Sequence, residues 1–486
     1  MGALLKSFCY LTLPVLLLSG GPAFDRKLSK DLRAEHALNR LAFGARPGEV
    51  ERVRKMGLDR WIDSQLHPER IAANPALDAH LQPLKTIGLS IAEAAEQYPP
   101  RTAAGKPGNK LRQGTLGTDL MQAKIYRAIY SDRQLEEVLV DFWFNHFNVY
   151  LNKGPERLMV SSYERDAIRP FVLGKFSDML LATAQHPAML FYLDNWQSVD
   201  PAAMERIAAR RKQLTKRTRG LNENYARELM ELHTLGVDGG YRQRDVMEVA
   251  RCFTGWTLRE PRRGASYFFA PMLHDKAEKT VLGRQIAAGR GEEDGLEVIG
   301  MLARHPATAR FISWKLARRF VADQPPPALV DRMAATFVKT QGDLREVMKT
   351  MIASPEFFSE GALRAKLKSP FEMVVSAARA LDATVTNALP LSAKVDELGQ
   401  PLYRKEDPTG YLDTAEEWTN TAGLLGRLNF ATALAAGKVP GSQVDAARYA
   451  LPTALRASIE KKLSGRVPTP ELMAGLALGS PEFQRR

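Results

Sequence analysis

Glu228 and Glu231 stand three residues apart in NENYARELMELHTLG, and carboxylates at that spacing are neighbours on one side of a helix. So placed, they can share a divalent cation. Without one, they can hold a single raised pKa between them and divide the roles of general acid and base. Their expected assistants lie in FWFNHFNVY, where Asn145, His146 and Asn148 are set among Phe142, Trp143, Phe144 and Phe147. A buried polar atom left unpaired costs about 1 to 3 kcal/mol, so these side chains need partners: one another and a water, or a ligand. Glu228, Glu231 and His146 are the metal-ligand candidates. Carboxylate and imidazole donors suit Ca²⁺, Mg²⁺, Mn²⁺ or Zn²⁺ better than a thiolate-seeking metal. The catalytic set expected is Glu228, Glu231, His146 and His274, with Asn145, Asn148, Arg227, Trp256 and Asp275 contacting substrate. A plainer use of the same helix is an ion-pair ladder from Glu223 to Arg227 to Glu231, which stabilises by roughly 0.2 to 0.5 kcal/mol per pair.

The elements that must position these groups are helical. Residues 221–258 read as two helices joined by a glycine-rich turn, the first capped by Asn222 or Asn224 and ended by Gly236, the second running over 243–254 and stopped by Gly255. Tyr225, Leu229 and Leu232 form its apolar stripe. An intact helix puts His233 across that stripe from the glutamates, so a histidine for the site has to come from elsewhere. The aromatic run ends a long helical stretch that begins near Thr118. Residues 267–269 and 280–282 are β-capable and suggest one small hairpin carrying His274 and Asp275 on its loop. That pair would matter if the loop folds over Glu228 and Glu231. Residues 399–423 form a long polar loop with Tyr403, Tyr411 and Trp418, aromatics that suit carbohydrate or peptide contact or pack over the core.

The 486 residues, 45% hydrophobic and 25% charged, have the balance of a globular chain with a large core. The fold class expected is mainly α: a single large multi-helix domain over 24–486 with a small β-hairpin insertion, and flexible segments near 97–117 and 205–220. Residues 1–23 read as a signal peptide, with Lys6, an apolar run too short for a bilayer span of about 20 residues, and small residues at Gly21 and Ala23. The chain is therefore expected to be exported, periplasmic or extracellular, with no stable membrane span. Cleavage leaves Cys252 as the one cysteine, so the mature core has to hold without a disulfide. The net charge of +13 becomes +12 once Lys6 leaves, an excess that favours an anionic cell-envelope polymer or small-molecule substrate. Nucleic acid is not expected as a partner, because no reader motif accompanies the charge.

FWFNHFNVY, HPAMLFYLDN, NENYARELMELHTLG, DVMEVARCFTGWT, HDKAEKTVLG, DPTGYLDTAEEW and LGSPEFQRR, in that order, resemble the domain of unknown function 1800 family. The likeness runs from about Asp31 to the C-terminus. It implies an exported, mostly helical bacterial protein and carries no agreed reaction. Similar proteins often carry an aromatic residue where this chain has His233, and the basic stretch before Leu221 is variable among them.

Two functions of different class fit the sequence. One is an extracytoplasmic hydrolase, either metal-assisted through Glu228, Glu231 and His146 or metal-free between two carboxyls roughly 5 to 9.5 Å apart. The cofactor is left open by the sequence, with a divalent cation as the candidate. The other is a non-catalytic envelope or surface-assembly protein, in which Glu228, Glu231, Asn145 and His146 are satisfied by protein groups and face no cavity. The sequence holds no nucleotide loop, Rossmann fingerprint, HExxH or nucleophile elbow.

Overall fold

Apolar residues recur at helical spacing from Leu32 onward, and the computed structural model is helical almost throughout. It describes residues 23–99, 110–210, 220–260, 264–419, 421–449, 451, 453–463 and 468–486. Local chemistry marks many of the helix starts. Ser369 accepts the Glu372 N–H while the Glu372 carboxylate accepts the Ser369 N–H, a reciprocal cap ahead of Pro370–Ala380. His305 uses Nδ1 in the same way, accepting the Ala307 N–H at 3.1 Å before Pro306–Phe320. Proline at the first position of both helices supplies a preset φ and withholds an N–H that would have had no partner.

One connected cluster of buried apolar side chains runs from Ala34 to Leu478. The helix Lys110–Tyr130 starts inside the stretch expected to be flexible, and Pro201–Arg210 extends into the basic stretch. Residues 100–109 and 211–219 of those stretches, and residues 1–22 of the expected signal peptide, lie outside the described residues. Among the described residues, no helix is long and apolar enough to cross a membrane. Cys252 is buried and unbridged.

The strands form three two-stranded antiparallel sheets among the described residues. Trp256–Arg259 pairs with Ser266–Phe269, Lys279–Val281 with Arg284–Ile286, and Thr384–Val385 with Ser442–Gln443. The single hairpin expected from residues 267–269 and 280–282 is thus two hairpins. Each run finds a nearer partner, and the second closes tightly through Leu282 and Gly283, both at positive φ. His274 and Asp275 lie between the hairpins.

Candidate functional site

Asn222 caps the glutamate helix by accepting the Asn224 and Tyr225 N–H groups at 2.9 and 3.3 Å, and the helix covers Glu223–Glu231. Tyr225 and Leu229 are buried beneath it. The ladder read from the sequence is present, with Arg227 3.9 Å from Glu223 and 3.5 Å from Glu231. Gln243 extends it to the next helix, accepting from Arg227 and donating to Glu223, each at 2.7 Å. Arg227 is therefore occupied on the helix surface. Glu231 also receives the Tyr241 hydroxyl. Glu228 is half-buried, and its carboxyl is pushed up by burial first, then by neighbouring Glu231 and Asp407.

Asn145 on the aromatic helix Gln134–His146, and Asn148 just beyond its end, present their amides to a strap, residues 399–418. Asn145 donates to the Tyr411 carbonyl at 2.9 Å and accepts the Tyr411 N–H at 2.7 Å. Asn148 donates to the carbonyls of Lys405 and Asp407 at 3.0 and 2.8 Å. Tyr192 adds a third fastening through its hydroxyl to the Glu406 carbonyl. The partners of the two amides are strap peptide groups, so these side chains hold the strap in place. Gly410 (φ +71°) allows the approach, since a Cβ there would overlap the Asn145 backbone oxygen.

Between strap and helices lies a cavity of about 290 Å³. His146 forms part of its wall, and both its ring nitrogens are engaged. A carbonyl can only accept and an ammonium only donate, so Nε2–H points to the His233 carbonyl at 3.2 Å and Nδ1 accepts from Lys315 Nζ at 2.9 Å. Burial, with Lys315 and His233 beside it, holds this imidazole far below its ordinary pKa. Burial also lowers the Lys315 ammonium to about 8, Asp413 opposing and Arg318 assisting.

The electrostatics of the cavity are set by which cations are paired. Lys124 sits 2.8 Å from Asp141, and Arg319 2.8 Å from Glu372. Asp413, buried beside Lys366 and Arg319, is held down to about 2 by those charges against the opposing effect of burial. Lys315, Arg318 and Lys405 also line the cavity, and among the described residues none has a carboxylate within 4.0 Å. Each instead rides on an aromatic ring: Lys315 on Phe311 at 5.5 Å, Arg318 on Trp314 at 3.9 Å and Lys405 on Tyr411 at 5.1 Å. Ring faces and positive charge with no carboxylate in direct contact, among the described residues, thus line the same space.

The structure gathers Asn145, His146, Asn148 and Glu231 around this cavity and places Glu228 within electrostatic reach of Glu231 and Asp407. His274 and Asp275 are placed in other contacts. His274 is fully buried, its Nδ1 2.8 Å from the Thr254 carbonyl and its Nε2 3.2 Å from Asp294, which also takes Lys279 at 2.8 Å. Asp275 pairs with Arg251 at 2.7 Å. Trp256 is core, packed on Phe253 and so close to Gly295 that a Cβ there would strike the indole. None of the three lines the cavity, since the loop that carries His274 and Asp275 is tied down between the hairpins.

The expected cation does not fit the donors. Among the described residues no group of three His, Cys, Asp or Glu is arranged to hold a metal. The one imidazole proposed as a ligand has no lone pair to spare, and Glu231 is shared between Arg227 and Tyr241.

Sequence reasoning passed over Lys315, Arg318 and Lys405, and it set His233 aside although its carbonyl orients His146. A signal was present for two of them. Phe311 to Lys315 and Trp314 to Arg318 are both i, i+4 pairs in FISWKLARRF, a spacing that lays a cation over a ring on one helix face.

A family model described as "Protein of unknown function (DUF1800)" matches residues 36–485. No curated protein and no solved structure matches the chain.

Proposed function

The chain belongs to the DUF1800 family, and from that premise we propose that its cavity is a binding site for a small anionic ligand with a ring or apolar face, such as an acidic sugar. The observation that carries this is the trio Lys315, Arg318 and Lys405, with no carboxylate within 4.0 Å among the described residues and each seated on an aromatic ring at the cavity wall. Cations partly withdrawn from water and touching no carboxylate are better solvated by an anion in contact, and an anionic ligand supplies that contact. At about 290 Å³ the space is at the small end of ligand sites and admits one small molecule or the tip of a polymer. The leader-like first 23 residues, the net positive charge and the family likeness support export and a ligand from the cell envelope.

Carboxylate-based hydrolysis is a second reading, favoured by Glu228. Its carboxyl is pushed toward the protonated form that a general acid needs, one turn from the cavity-lining Glu231. Metal-assisted hydrolysis is not proposed, because the donors do not assemble. Under the non-catalytic alternative the ligand is held and not turned over.

One titration separates these readings. Calorimetry with glucuronate should show saturable binding that weakens at least tenfold in the Arg318→Gln, Lys405→Gln double variant and falls with added salt. Absence of binding at millimolar glucuronate, or binding indifferent to the double variant, overturns the site. Cleavage of a glucuronide that is lost in Glu228→Gln, with binding retained, selects the hydrolase reading. Binding without cleavage of any offered glycoside or ester selects the non-catalytic one.

A further inference from the structure

Lys315 is placed as a nucleophile is placed. Its Nζ faces a cavity, has no carboxylate within 4.0 Å among the described residues, and rests on the face of Phe311. Its one hydrogen-bond partner among the described residues is His146 Nδ1 at 2.9 Å, a base site and not a counter-ion. The groups facing the pair are Arg318 and Asp413 around Lys315, and His233 beside His146. A desolvated amine next to another cation is the setting in which a lysine becomes a nucleophile near neutral pH. Arg318, whose Nε donates to the Asp323 carbonyl at 3.0 Å, has two further guanidinium nitrogens to offer a carboxylate, and Lys405 lines the same cavity, so both can hold the acid while the amine reaches the carbon next to it.

We propose that Lys315 forms a Schiff base with the carbonyl of a small 2-oxo acid bound in this cavity, with His146 carrying the protons. The inference rests on the reading of the cavity as an anion site and adds a covalent step to it. The ammonium first gives one proton to solvent; the neutral Nζ then attacks the carbonyl carbon, the C–N bond forms, and the π pair of C=O moves to oxygen. Nζ sheds its two protons in turn to His146 Nδ1, which passes both to that oxygen. The C–O bond then breaks, water leaves and C=N remains, so amine and carbonyl become imine and water with no oxidant or reductant. The Nε2–H bond to the His233 carbonyl keeps the ring turned with its Nδ1 lone pair toward Nζ throughout.

The test is reductive trapping of the intact chain with glyoxylate and cyanoborohydride at pH 7, read by peptide mass spectrometry, with the glucuronate titration run on the same preparation. The expected result is labelling of Lys315 at an initial rate at least tenfold above every other lysine, slowed by excess glucuronate. Lys315→Arg should remove that label while keeping the charge. His146→Gln should slow it about tenfold in a protein whose thermal melt is unchanged. The wild-type label decides the matter even if a variant fails to fold. Labelling of Lys315 no faster than of surface lysines, with glucuronate still bound, overturns the Schiff base and leaves the anion site standing. Loss of both signals overturns both.

Discussion

Asn145 and Asn148 show how far a residue's type discloses its use. Short amides inside an aromatic run could be recognised as needing partners, and that requirement is met. The partners themselves are strap peptide groups more than 250 positions away in sequence, as the separations of Asn145 from Tyr411 and of Asn148 from Lys405 show. No local pattern encodes such a pairing. The same holds for Lys315, an ordinary mid-helix lysine in sequence whose character comes from His146, Phe311 and, among the described residues, the lack of a carboxylate within 4.0 Å. Because each amide serves buried peptide groups, Asn145→Ala and Asn148→Ala should each destabilise the fold by about 1 to 3 kcal/mol, read as a lower urea midpoint with an unchanged denaturant slope. A loss below a few tenths of a kcal/mol in both would mean the amides are not fastening the strap.

At the scale of elements, helix positions were largely legible because their signals are local. The Asn222 cap, the prolines at Pro306 and Pro370, and Gly255 at φ +80° each act within a few residues. The hairpins were half legible. Residues 267–269 and 280–281 lie in strands and Leu282 in the turn that follows, but a β-capable run does not name its partner, and loop closure favours the nearer one. The strap was legible as a loop and not as a cavity wall. Gly410 makes its most specific demand, combining positive φ with contact against the Asn145 backbone. Gly410→Ala should lift the strap while leaving the helices intact. Hydrogen exchange at residues 403–413 should rise at least tenfold, glucuronate binding should weaken, and the far-ultraviolet dichroism should stay unchanged. Exchange confined to its wild-type rate would show that the strap tolerates a methyl there.

At the scale of the whole molecule, the mainly helical class followed from periodicity alone, whereas the stock of buried titratable groups did not. Burial lowers His36, His186 and His233 to about 3, Arg40 adding to the effect on His36 and Lys315 to that on His233. His146 is lowered well below its ordinary value. In the unfolded chain these imidazoles bind a proton near 6.5; in the folded chain His36, His186 and His233 do so only near 3, and His146 only well below its ordinary value. Between those values the unfolded state binds more protons, so stability rises with pH across that window and falls on acidification, by about 1.4 kcal/mol per pH unit for each histidine. Glu156, pushed far above the carboxylate range by burial, works in the other direction, its contribution full below 4.5 and lost as pH rises through its folded value. The histidines outnumber it, so the urea midpoint should be distinctly lower at pH 5 than at pH 7. A midpoint equal or higher at pH 5 would show that these imidazoles are open to solvent.

The strap is held by the uncharged amides and by Asp413 in its close pairing with Lys366, and such sheltered anchoring has a kinetic corollary. Dissolved ions screen charges beyond about 10 Å at 0.1 M but barely touch a buried contact between neutral dipoles. Raising ionic strength should loosen the grip on an anion without hastening the unfastening of the chain above it. Release should accordingly speed up with salt and then level off at a ceiling set by how often Asn145 and Asn148 let go.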